Sequence, residues 1–125
     1  MFVILKDKTI CLTRGDIAKI VVSVNQQDGQ TYKFKPGDSV TLRVYQRKDC
    51  KNVVLRKDAE VEAETESVTI SLTKEDTKIG ELINKPVDYW YEIEMNTDTE
   101  PQTIIGYDEA GEKIFRLYPE GSDNA

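Results

Sequence analysis

Apolar and polar residues alternate along several short runs of the chain, which is the pattern of β-strands that bury one face. The run 87–95 has the clearest alternation, because every second residue from Val87 onwards is apolar or aromatic. The positions between them carry acids, and Trp90 shares their side. In the run 40–45, the polar side carries Thr41, Arg43 and Tyr45. Similar patterns predict strands over residues 17–24, 31–34, 53–55, 60–64, 68–72, 103–107 and 112–118.

Turn-forming residues separate these runs. Gly29 and Gly37 can adopt the positive φ that tight turns need, and a turn at residues 108–111 predicts a hairpin between strands 103–107 and 112–118. Thr73 is a plausible N-cap, so we expect one short helical turn near residues 73–77.

About nine or ten short strands with almost no helix favour an all-β, antiparallel sandwich. A parallel α/β sheet would need helical crossovers, which the pattern lacks. The chain has 125 residues, enough for one core but cramped for two. We therefore expect a single domain over residues 1–118, followed by a polar tail at 119–125.

Composition and charge narrow the possible partners. The chain carries 17 basic and 23 acidic residues, and its net charge of −6 disfavours binding to nucleic acid. Basic residues do gather at 43–57, but acids interrupt them, so we expect a solvated strand and turn there.

The sequence predicts no membrane span, and residues 2–5 are too short for the core of a signal peptide. We expect synthesis in a reducing cytosol, where Cys11 and Cys50 would remain thiols. A bridge between these two cysteines is left open.

The chain contains no histidine, which removes the commonest general base and the histidine-based metal sites. We expect no enzyme activity, no cofactor, no metal and no small-molecule ligand. Acids do recur on single strand faces, but such rows usually solvate a surface rather than form a catalytic pair. These acids are Glu60, Glu62 and Glu64 on one strand, and Glu92 and Glu94 on another.

The tripeptide Arg14-Gly15-Asp16 matches a cell-adhesion motif, but a turn between two strands explains it better. Trp90 is more informative, because the strand pattern places it opposite the apolar face. An exposed tryptophan there would indicate an interface. The alternatives are a sheet covered on both faces and a bulge that resets the alternation.

Four segments together resemble the N-terminal, immunoglobulin-like domain of phage baseplate upper proteins and related small prophage proteins of Gram-positive bacteria. The resemblance extends over residues 10–117. The segments are LTRGD at 12–16, YKFKPGDSV at 32–40, SLTKEDT at 71–77 and YWYEI at 89–93.

This resemblance implies an immunoglobulin-like β-sandwich and a structural role in a tail or baseplate, with other phage structural proteins as partners. Baseplate upper proteins usually continue well beyond this domain, so an accessory or tail-associated protein fits better. A homo-oligomer is left open. The residues expected to form a contact surface are Trp90, Tyr107 and Tyr118.

Two other functions are compatible with a sandwich. A carbohydrate-binding or cell-surface adhesion module would present a coplanar platform of exposed aromatic side chains. An acid-dependent hydrolase would hold two convergent carboxylates with raised pKa values in a pocket.

Overall fold

The computed structural model describes residues 1–26, 28–48, 51–97, 101–106 and 111–120, of which 101–105 are described by their backbone alone. Tyr107 and Cys50 lie outside these ranges. Within them the chain is mostly β-strand, as the sequence predicts. The strands are β1 (Phe2–Ile4), β2 (Ile10–Thr13), β3 (Ala18–Val22), β4 (Ser39–Tyr45), β5 (Val53–Glu60), β6 (Val68–Leu72), β7 (Val87–Asn96), β8 (Pro101–Ile105) and β9 (Lys113–Tyr118), and the helix is α1 (Lys74–Thr77).

The strands form two sheets. The larger has the order β1-β2-β9-β7-β4-β5, with β8 also paired to β7, and the smaller consists of β3 and β6. β7 organises the larger sheet, because β4 lies along one side while β9 and β8 share the other. Gly29 and Gly37 have φ values of 85° and 99°, which confirms the conformations expected at those turns.

Two predictions about strand pairing are wrong. β2 and β9 run parallel, so the larger sheet is mixed rather than antiparallel. The chain between these two strands supplies the long crossover that parallel pairing needs, without helical crossovers. Within the described residues, β9 pairs on one side with β2 and on the other with β7, and no pairing joins it to β8 as the predicted hairpin requires. β8 instead pairs with the C-terminal half of β7.

Two strand boundaries also differ from the prediction. Residues 31–34 make only single bridges, Asn25 with Thr31 and Phe34 with Thr65, rather than a strand. β5 runs continuously from Val53 to Glu60 and ends before Ala63. Its middle was missed because Lys57 lies on the inner side of the strand, where the sequence pattern expects an apolar residue.

Both sheets contribute to one hydrophobic core. Ile20 and Ile70 come from the smaller sheet, and Leu42, Ile93 and Phe115 come from the larger one. The alternation predicted for β7 is confirmed, because Tyr89, Tyr91, Ile93 and Met95 are all buried. Cys11 is buried in β2 and carries a free thiol.

The short helix is confirmed, with Thr73 as its N-cap. The Thr73 hydroxyl accepts from the Asp76 N–H, and the Asp76 carboxylate accepts from the Thr73 N–H at 2.9 Å. Asp76 also accepts from Lys57 Nζ at 2.8 Å, which joins α1 to β5. Burial raises the pKa of Asp76, but the hydrogen bonds from Lys57 and Thr73 lower that pKa by a larger amount. The pKa of Asp76 in the folded protein therefore lies below its ordinary value.

Replacing Asp76 with alanine removes the reciprocal cap and the ion pair, so we expect a loss of about 1–2 kcal/mol of unfolding free energy at pH 7. Because folding lowers the pKa of Asp76, its contribution is present above the ordinary value of 3.8 and is lost as pH falls through the lower folded value. In urea titrations, the difference between wild type and Asp76→Ala should therefore narrow between about pH 5 and pH 2. Glu75→Ala is the control, and a difference that stays constant with pH would contradict the linkage.

Candidate functional site

The candidate site lies on the outer face of the larger sheet, the side turned away from the core. Trp90 is on this face and is half-buried. It lies opposite Tyr45 of β4 and Ile114 of β9, and the pairing of β7 with both strands is regular at this position. No bulge in β7 resets the alternation there, so the strand phase expected from the sequence is confirmed.

Trp90 belongs to an apolar row that crosses the sheet. Tyr45 lies opposite Val53 of β5 as well as Trp90, so the row runs Val53, Tyr45, Trp90, Ile114 across β5, β4, β7 and β9. We call this row the Trp90 stripe. Neighbouring strands lie about 4.8 Å apart, so the stripe is about 14 Å long. Its exposure is uneven, because Val53 is 52% exposed whereas Tyr45 is only 6% exposed.

The β4–β5 pairing is irregular where it meets the stripe. The register shifts between Val44 and Tyr45, so that Val44 lies opposite Leu55 and Tyr45 opposite Val53. Val54 is the additional residue of β5, and it is 37% exposed. A bulge bends a strand and re-aims its side chains. Here it adds apolar surface at the β5 end of the stripe.

Paired charges border the stripe on both sides. On one side, Arg116 donates to the two carboxylate oxygens of Asp88, at 2.7 and 3.3 Å. On the other, the Tyr45 hydroxyl donates to Glu92 at 2.6 Å, and Arg43 lies 3.5 Å from Glu94. An apolar centre with a polar rim is the usual anatomy of a protein–protein interface.

The Arg116–Asp88 ion pair orients side chains on the outer face but adds little to folding stability. The hydrogen bonds and charge of Asp88 raise the pKa of Arg116 above its ordinary value, and a hydrogen bond with Tyr118 acts in the same direction. The guanidinium therefore interacts with both Asp88 and Tyr118. Because these side chains are partly exposed, solvent screens the attraction, and we expect little contribution to folding stability.

The structure brings two of the three predicted contact residues onto this face. Tyr118 lies on the same side of β9 as Ile114 and is half-buried. The Arg116–Asp88 pair separates it from Trp90, so the two rings do not form a continuous platform. Tyr107 lies outside the described residues.

Sequence reasoning missed Tyr45, Val53 and Ile114 as members of the site. The alternation did assign Tyr45 to the polar side of its strand, which was the available signal. The alternation of apolar and polar residues does not give the order of the strands in the sheet. Only the pairing of β5, β4, β7 and β9 brings these side chains together into one row.

The acids singled out in the sequence differ in their surroundings. Glu60, Glu62 and Glu64 are exposed, as predicted. Glu92 and Glu94 are engaged by Tyr45 and Arg43, as described above. No group of three or more acidic, cysteine or histidine side chains in the described part of the chain could hold a metal ion.

The Arg14-Gly15-Asp16 segment has an internal structural role. The Arg14 guanidinium donates to the Gly80 carbonyl at 2.7 Å and pairs with Glu120 at 2.5 Å, where both side chains are about nine-tenths buried. Gly15 N–H donates to the Thr77 hydroxyl at 3.0 Å. Arg14 is therefore not displayed as an adhesion motif requires. It joins the end of β2 to the segment after α1 and to the segment after β9.

Comparison with known proteins assigns no family. No protein-family model, no curated protein and no solved structure matches the chain. Within the described residues, no helix has the length and apolar character needed to cross a membrane.

Removing the Arg14 side chain leaves the buried Glu120 carboxylate and the Gly80 carbonyl without their partner. We expect Arg14→Ala to lower the unfolding free energy by about 3 kcal/mol, measured by urea denaturation. Arg14→Lys keeps the charge but cannot reproduce the planar fork, so its loss should be intermediate. The control is Arg56→Ala, whose side chain is 59% exposed. An alanine variant at position 14 as stable as the Arg56 control would refute this role.

Proposed function

We propose that this chain is a non-enzymatic structural protein of a phage or prophage particle. It is a tail- or baseplate-associated domain of immunoglobulin-like type, and it acts through contacts with other structural proteins. The Trp90 stripe is the observation that carries the interface part of this proposal. The resemblance of segments 12–16, 32–40, 71–77 and 89–93 to phage baseplate domains carries the phage part.

The stripe has the properties of a contact surface. Trp90 is a large aromatic residue near the middle of a row, and tryptophan and tyrosine are enriched among residues that dominate binding energy. The bordering residues Arg43, Arg116 and Glu92 already have partners within the chain. A partner can therefore cover the stripe without leaving these charges buried and unpaired, which would be costly.

The competing functions have less support. A carbohydrate-binding surface needs a coplanar aromatic platform, but Tyr45 is only 6% exposed and the Arg116–Asp88 pair separates Trp90 from Tyr118. An acid-dependent hydrolase needs carboxylates with raised pKa values. Among the described residues, the two carboxylates with a clear shift are Asp7 and Asp76, and both have lowered pKa values instead.

The phage assignment predicts that the chain occurs in purified particles. The test is to induce the prophage of the source bacterium, purify intact particles and search for the chain by mass spectrometry. We expect a constant number of copies per particle after density-gradient purification. Absence of the chain from intact particles would sink the phage assignment.

The stripe is tested in the same particles. Trp90→Ser and Val53→Asp should each lower incorporation at least about tenfold, because both remove apolar contact area from one interface. The control is Val21→Ser, since Val21 is 64% exposed on the smaller sheet. Val53→Asp changes an exposed residue, so its folding is easily checked by urea denaturation. Normal incorporation of both stripe variants would rule out the outer face as the contact surface.

A further inference from the structure

A groove separates the free edges of the two sheets. β5 is the last strand of the larger sheet and pairs only with β4, while β6 pairs only with β3, as far as the described residues extend. The groove between them has a volume of about 370 Å³. It is distinct from the Trp90 stripe, which crosses the outer face of the larger sheet. We call it the β5–β6 groove.

Its lining suits an extended polypeptide. Ala59 and Val61 supply apolar surface, and Thr69 and Ser71 of β6 supply exposed hydroxyl groups. An edge strand also presents a row of backbone N–H and C=O groups that are not used within its own sheet. An added strand would use those groups for affinity and its alternate side chains for specificity.

Charge decides which kind of segment fits. Glu60 and Glu62 line the groove and are exposed, and Glu64 and Glu66 follow them along the chain, exposed as well. The cation that lines the groove within the described residues is Lys57, which is held by Asp76 at 2.8 Å. Lys57 therefore does not neutralise the glutamates, and the groove favours a basic occupant.

A second copy of this chain fits poorly. Joining two copies groove to groove would bring Glu60 and Glu62 of one copy towards the same acids of the other, and like charges repel. We propose that the β5–β6 groove binds an extended, basic segment of a partner protein, which adds to the edge of β5 as a strand.

The first test uses a defined probe, the fluorescein-labelled peptide acetyl-Lys-Val-Lys-Thr-Lys-Val-amide, with fluorescence anisotropy as the readout. Its counterpart with glutamate in place of lysine should not bind measurably. The double variant Glu60→Lys/Glu62→Lys should weaken binding at least about tenfold, because two attractive charges become repulsive. The matched control is the double variant Glu75→Lys/Glu81→Lys, which makes the same change in net charge at two exposed acids outside the groove. If the control variant weakened peptide binding equally, net charge alone would explain the effect, and the groove would be excluded as the binding site.

A second pair of probes tests strand addition directly. Methylating alternate backbone nitrogens of the peptide removes the N–H donors from one edge only, so two probes cover the two edges. One methylated probe should bind at least about tenfold more weakly than the other. Binding should also shift the amide resonances of β5 and β6 in NMR spectra, and Trp90→Ser should leave the affinity unchanged. Equal binding of both methylated probes would exclude strand addition.

The occupant itself is tested by sedimentation of the unlabelled protein. The proposal expects no dimer that depends on the groove. A concentration-dependent dimer that Glu60→Gln/Glu62→Gln strengthens would instead identify a second copy as the occupant and overturn the assignment of a basic partner segment.

Discussion

The alternation of side chains along β7 is the constraint on which the rest of the structure depends. This strand has ten residues and pairs along both sides. Its apolar positions face the core, and burial of each large side chain contributes on the order of 1.5–3 kcal/mol. A slip of one residue would move Ile93 out of the core and Trp90 into it. The register of β7 therefore determines the core and the outer face together.

The polar contacts on the outer face depend on that register of β7. On the outer face, carboxylates of β7 contact Arg43 and Tyr45 of β4 and Arg116 of β9. The charged side chains of the outer face are therefore paired between neighbouring strands. Away from the sheet centre, Arg14 and Asp76 join segments that are far apart in sequence. These contacts join strands and segments that are distant in sequence. The proposed role in assembly would use this surface.

Local features of the fold were predictable where local physics decides them. The strand phase of residues 87–95 follows from periodicity, and the helical turn after Thr73 follows from its capping chemistry. Residues 31–34 have the composition of a strand, but Phe34 is buried by bridging to Thr65 instead. The middle of β5 was hidden because Lys57 satisfies its charge with Asp76, a partner that a sequence pattern does not reveal.

By itself, the sequence determined the all-β class, the side of β7 on which Trp90 lies, and the absence of histidine chemistry. These depend on side-chain identity and on a period of two residues. Only the tertiary structure decided that β2 and β9 pair in parallel, that β8 and β9 share one side of β7, and that Tyr45 and Ile114 flank Trp90. The physical reason is that strand order arises from the competition of distant segments for the same edges. Any one strand carries the alternation that specifies its faces, but not the identity of its neighbours.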